Sequence, residues 1–99
     1  MQKKTLLGLM VGTGLLVTSQ VFAGEITGHI QYSDGSDCSG CRVAASISSG
    51  GVTKAVYTDS DGDFTLVWSS NHWIDKLFVK GKTVMHNIKP GKHVNIRLD

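Results

Sequence analysis

Cys38 and Cys41, separated by Ser39-Gly40, are the only cysteines in the chain, and their spacing admits three chemistries: a local disulfide, metal ligation or dithiol redox exchange. A redox pair draws its reactivity from a helix N-terminus beneath the first thiol, where the helix dipole lowers the thiol pKa. Here a strand-like run, Arg42–Ser48, follows the second cysteine instead. Covalent haem attachment needs a histidine directly after the second cysteine, and Arg42 stands there. Structural zinc needs two further ligands, and His29, His72, His86 and His93 are scattered rather than paired at metal-ligand spacing. The expectation is therefore a disulfide between Cys38 and Cys41, with Ser39-Gly40 forming the tight turn between them. Metal ligation by Cys38, Cys41, His29 and His93, or thiol redox chemistry at the loop, is the alternative.

Asp59, Asp61 and Asp63 alternate along an acidic stretch and invite a comparison with calcium loops. An EF-hand loop has its glycine sixth and a bidentate Glu twelfth. Gly62 is fourth from Asp59 and Ser70 is twelfth, so the stretch is expected to be a turn closed by aspartate–backbone hydrogen bonds. Trp73, with His72 and Tyr57, offers large rigid faces suited to stacking on a sugar ring. The competing expectation, and the favoured one, is that Trp73 caps the open end of the core. His86 shares a period-two face with Val84 and Ile88 and is expected to be partly buried. No Ser-His-Asp or Cys-His pairing can be placed, so the chain reads as non-catalytic and without a cofactor.

The elements that position these residues are strands. Glu25–Tyr32 alternates, with Ile26, Gly28, Ile30 and Tyr32 on one face and Glu25, Thr27, His29 and Gln31 on the other. Arg42–Ser48, Val52–Thr58, Phe64–Trp68, Leu77–Lys80, Thr83–Ile88 and His93–Leu98 follow, separated by Gly-, Ser-, Asp- or Pro-containing turns. Val52–Thr58 and Phe64–Trp68 flank the acidic turn and read as a central β-hairpin. Seven short strands without a 3.6-residue period predict an all-β, two-sheet Greek-key β-sandwich.

Residues 1–23 read as a cleaved signal peptide: Lys3 and Lys4, an apolar run from Leu6 to Val17, then Val21-Phe22-Ala23 with small residues at −3 and −1. The expected product, residues 24–99, is periplasmic or secreted, with no membrane span. It holds eight acidic and eight basic side chains, so the net charge of +2 belongs to the leader and supports no nucleic-acid partner. The charges are unevenly spread: six of the eight acids lie in 24–63 and six of the eight bases in 64–99. So small a domain buries only about 60% of its unfolded surface, which makes a cross-link valuable.

Three stretches carry a family resemblance. Gly24–Ile30 is similar to the opening strand, Cys41–Ile47 to the second strand, and Thr58-Asp59-Ser60-Asp61-Gly62-Asp63-Phe64 to the Thr-Asp-x-x-Gly-x-Phe motif of carboxypeptidase regulatory-like domains. The resemblance covers most of 24–99 and implies a prealbumin-like (transthyretin-like) β-sandwich serving as an accessory scaffold, related to carbohydrate-binding folds and carrying no catalytic residues of its own. The combined expectation is a small exported module that binds a protein partner or a glycan at the cell envelope.

Overall fold

The computed structural model describes residues 23–99; the expected leader, apart from Ala23, lies outside the described residues. Seven strands occur among the described residues: β1 (Gly24–Tyr32), β2 (Arg42–Ile47), β3 (Val56–Tyr57), β4 (Asp63–Trp68), β5 (Ile74–Val79), β6 (Lys82–Ile88) and β7 (His93–Leu98). No helix occurs among the described residues. A three-stranded sheet has the order β4-β1-β7 and a four-stranded sheet the order β3-β2-β5-β6. β1 is antiparallel to β4 and parallel to β7. The inward residues of both sheets form one core, with Ile26, Ile30 and Leu66 from the smaller sheet and Val43, Ala45, Ile74, Leu77 and Val79 from the larger, all at or near zero exposure. The fold is thus all-β with two sheets sharing a core.

The alternation in β1 sets the register of the smaller sheet. Its inward residues pair Ile26 with Leu66 and Gly28 with Phe64, so apolar side chains face the same interior. Gly28 has no side chain because the Phe64 ring lies directly over it; a Cβ there would overlap the ring.

Three departures from the sequence reading have local causes. The strands flanking the acidic turn do not form a hairpin: β3 pairs with β2 and β4 pairs with β1, so Thr58–Gly62 carries the chain from one sheet to the other. Of the expected strand Val52–Thr58 only Val56–Tyr57 is regular, with Val52 making an isolated bridge to Ser46 and remaining 68% exposed. β5 begins at Ile74 rather than Leu77. Ile47 pairs with Ile74 and Ser46 with Lys76, which leaves Asp75 as an extra residue. This bulge puts two buried residues three apart and breaks the period-two pattern.

A second bulge lies in β6, where Leu77 pairs with Met85 and Phe78 with Thr83, leaving Val84 extra. The phase change, together with a left-handed Asn87 (φ 56°), turns His86 to solvent, so the expected partial burial of His86 is corrected. The core cap is also reassigned. Trp73 keeps 49% of its surface exposed, whereas Trp68 is buried beside Gly24 and donates its indole N–H to the His72 carbonyl at 3.1 Å.

Candidate functional site

Three segments meet around Cys38 and Cys41: the middle of β1, the loop from Asp37 to Cys41, and the crossover from Thr58 to Asp63. Backbone bonds tie them. Cys38 N–H donates to the Ile30 carbonyl and Ile30 N–H donates to the Gly62 carbonyl, both at 2.9 Å. Gly62 has φ 81°, and a Cβ on it would sit 2.6 Å from the Ile30 carbonyl oxygen, so only glycine fits this crossing without displacement.

Cys38 and Cys41 are disulfide-bonded, with Cα atoms 5.9 Å apart, and both lie in the core at 0% and 5% exposure. Thr58 serves the cystine turn through four hydrogen bonds. Its N–H donates to the Cys41 carbonyl and its carbonyl accepts from Gly40 N–H, both at 3.0 Å. Its hydroxyl accepts from Cys41 N–H at 2.8 Å and donates to the Cys38 carbonyl. Thr58 is 5% exposed and is the one buried polar residue among the described residues. Sequence reasoning did not single it out, although it opens the Thr-Asp-x-x-Gly-x-Phe stretch. A buried hydroxyl satisfying both a donor and an acceptor of another loop leaves no mark in hydropathy.

On the solvent side of the same junction, His29 lies between two carboxylates. Its Nδ1 is 2.8 Å from Asp63 Oδ1 and its Nε2 is 3.1 Å from Asp37 Oδ1. Both ring nitrogens can donate at once only in the imidazolium form. The hydrogen bond to Asp63, followed by the charges of Asp63 and Asp37, raises the His29 pKa above its ordinary value.

Next along the outer face, His93 Nδ1 is 2.8 Å from the Thr27 hydroxyl. His29 and His93 do lie on neighbouring strands, one alternate position apart, since Thr27 is the residue opposite His93. Their ring nitrogens, however, are engaged with different partners. The sulfurs of Cys38 and Cys41 are joined to each other in the interior, so the four candidate metal ligands do not converge on one point.

Asp59, Asp61 and Asp63 bring carboxylate oxygens within 4.8 Å of one another. Their bonding is that of a turn. Asp59 Oδ1 accepts from Asp61 N–H at 2.9 Å and Asp63 N–H at 3.0 Å, while Gly62 N–H donates to the Asp59 carbonyl. Asp63 Oδ1 is the oxygen facing His29.

The aromatic residues are not assembled. Tyr57 pairs with Arg42 at one end of β2, whereas Trp73 lies beyond the other end, its carbonyl accepting from Ser48 N–H. The six residue steps from Arg42 to Ser48 span about 20 Å. Tyr57, 63% exposed, borders a shallow depression of about 440 Å³ with Thr27, Asp59, Asp63, Thr65 and His93. His72 is exposed beside Trp73, and Val52, bridged to Ser46 on the other flank of β2, is the third exposed large apolar side chain among the described residues. No helix among the described residues is long and apolar enough to cross a membrane. Comparison of the chain with models of protein families and with curated proteins finds no match.

Proposed function

We propose that the chain is an exported, disulfide-closed β-sandwich module of the Greek-key, prealbumin-like kind, related to carboxypeptidase regulatory-like domains, which binds a protein partner or a glycan at the cell envelope and is not an enzyme. The two-sheet arrangement, with a crossover at the Thr58–Gly62 stretch, supports the fold assignment. The observation that carries the binding reading is Trp73. A tryptophan left about half exposed at the end of a closed core is a contact surface of the kind enriched at binding sites. The buried cystine weighs against the thiol-redox and metal alternative, because exchange and ligation both need an accessible thiolate.

Two experiments test this reading. Mass spectrometry of periplasmic or secreted material should find an N-terminus at Gly24, and an intact Met1 form in the cytoplasm would reject export. Pull-down from envelope extract should retain its partner with the double variant Cys38→Ser/Cys41→Ser and lose it with Trp73→Ala. Dependence on the cysteines in a variant that still folds would instead favour redox or metal chemistry.

A further inference from the structure

The two sheets differ by one strand, and the difference opens a cleft. The three-stranded sheet ends at β7 and the four-stranded sheet ends at β6. Between these edges lies a cleft of about 600 Å³, within the range of ligand-binding sites. Its floor includes the buried Ile96 and its walls the half-buried Val84, Met85 and Leu98. The bulge in β6 explains why two consecutive apolar residues, Val84 and Met85, both line it.

Among the described residues the outer edge of β7 is unpaired, and in a defined way. Thr27 N–H donates to the Lys92 carbonyl across the parallel ladder, so the backbone groups of Lys92, Val94, Ile96 and Leu98 face β1. Those of His93, Asn95 and Arg97 face outward, with Asn95 and Arg97 along the lip of the cleft. β6, by contrast, is irregular through its bulge, a common means of blunting an edge. The rim is basic: Lys80, Lys82 and Arg97 line the cleft, against Asp99. Lys80 is held over the Tyr32 ring, 5.4 Å from its centroid. Among the described residues neither Lys82 nor Arg97 is in a salt bridge. Some of the basic excess of residues 64–99 is therefore collected at this opening.

We propose that the cleft receives an extended partner segment of alternating apolar and acidic residues, which adds as a strand to the free edge of β7. Apolar side chains on one face of such a strand cover Ile96, Leu98, Val84 and Met85. Acidic side chains on the other meet Lys82 and Arg97, and the main chain satisfies the outward groups of Asn95 and Arg97. A second copy of this chain fits less well, because pairing β7 with itself brings His93 and Arg97 of two copies together. A free amphiphile would fill the apolar floor but leave the strand edge unpaired. The inference shares with the binding reading only the premise that the module docks a partner; the surface lies at the other end of β5 from Trp73, so the two can fail separately.

The test uses amide NMR titration with synthetic peptides of about eight residues, a normal strand length. A peptide alternating glutamate and valine should shift the amides of Asn95, Arg97, Thr83 and Val84. Binding should weaken at least about tenfold with Arg97→Glu/Lys82→Glu and with alternate N-methylation of the peptide, and be unchanged with Trp73→Ala. The charge-reversed protein should instead prefer a peptide alternating lysine and valine. The proposal is overturned if the glutamate–valine peptide leaves these amides unmoved at millimolar concentration. It is equally overturned if N-methylation makes no difference, if decanoate occupies the cleft and the peptide does not, or if the protein self-associates through β7 and excludes the peptide.

Discussion

Replacing Thr58 by valine isolates the contribution of one hydroxyl. The substitution keeps the β-branched shape and both backbone bonds, to Cys41 and from Gly40, but leaves Cys41 N–H and the Cys38 carbonyl without their side-chain partner inside the core. Each orphaned buried group costs about 1–3 kcal/mol, and the extra methyl recovers up to about 0.8 kcal/mol, so the net loss from the two groups should be about 1–6 kcal/mol. Domains of this size have a total stability of roughly 4–11 kcal/mol. Thr58→Val should therefore melt lower by about 4–8 °C for each kcal/mol lost, at least about 5 °C in all. Thr58→Ser, which keeps the hydroxyl, should stay within about 1 kcal/mol of wild type. Urea unfolding gives both values directly. A serine loss equal to the valine loss would mean that the methyl group matters as much as the hydroxyl. A valine variant within about 0.5 kcal/mol of wild type would refute the role assigned to the hydrogen bonds. Because Thr58 and the disulfide hold the same turn, their losses should be non-additive in a double-mutant cycle.

Three further outcomes are expected. Cys38→Ser/Cys41→Ser should lose about 2 kcal/mol through the cross-link alone, for a loop this short, and melt at least about 8 °C lower; calorimetry of the wild type with and without reductant should give a comparable difference. Gly62→Ala should cost more than about 2 kcal/mol in chemical denaturation, since the new Cβ adds a clash with the Ile30 carbonyl to the strain of a positive φ. The His29 pKa is raised above its ordinary value of 6.5, so its stabilisation is complete below about that pH and is lost as pH rises through the folded-state value. The melting temperature should show that falling limb, and His29→Asn should remove it.

The parts of the fold legible in the sequence are those where one side chain decides one thing. Strict alternation in Glu25–Tyr32 and His93–Leu98 places β1 and β7 correctly, and the Cys-Ser-Gly-Cys loop in an otherwise cysteine-free chain indicates its own disulfide. The departures arise where two segments decide jointly. Asp75 and Val84 are bulged because of the partner register across β2, β5 and β6, and a bulge erases the periodicity on which a strand reading depends. The acidic turn is read correctly as a turn, but local geometry does not say whether the strands it joins share a sheet. That depends on β2 and β1 taking β3 and β4 respectively.

The candidate site divides in the same way. His29 can be placed on a wet face from alternation alone, yet its carboxylates come from Asp37, eight residues on, and Asp63, on the neighbouring strand. Thr58 was hidden for the same reason, since its partners lie 17 and 20 residues away in the chain. The first two strands, the cystine loop and the crossover thus become one junction only when the sheets close. The inner layer, Thr58 with the cystine, is shielded from solvent, whereas the outer layer, His29 between Asp37 and Asp63, is open to pH. A change at His29 should accordingly alter how firmly the Asp37 loop is held while leaving the core packing of Cys38 and Cys41 in place.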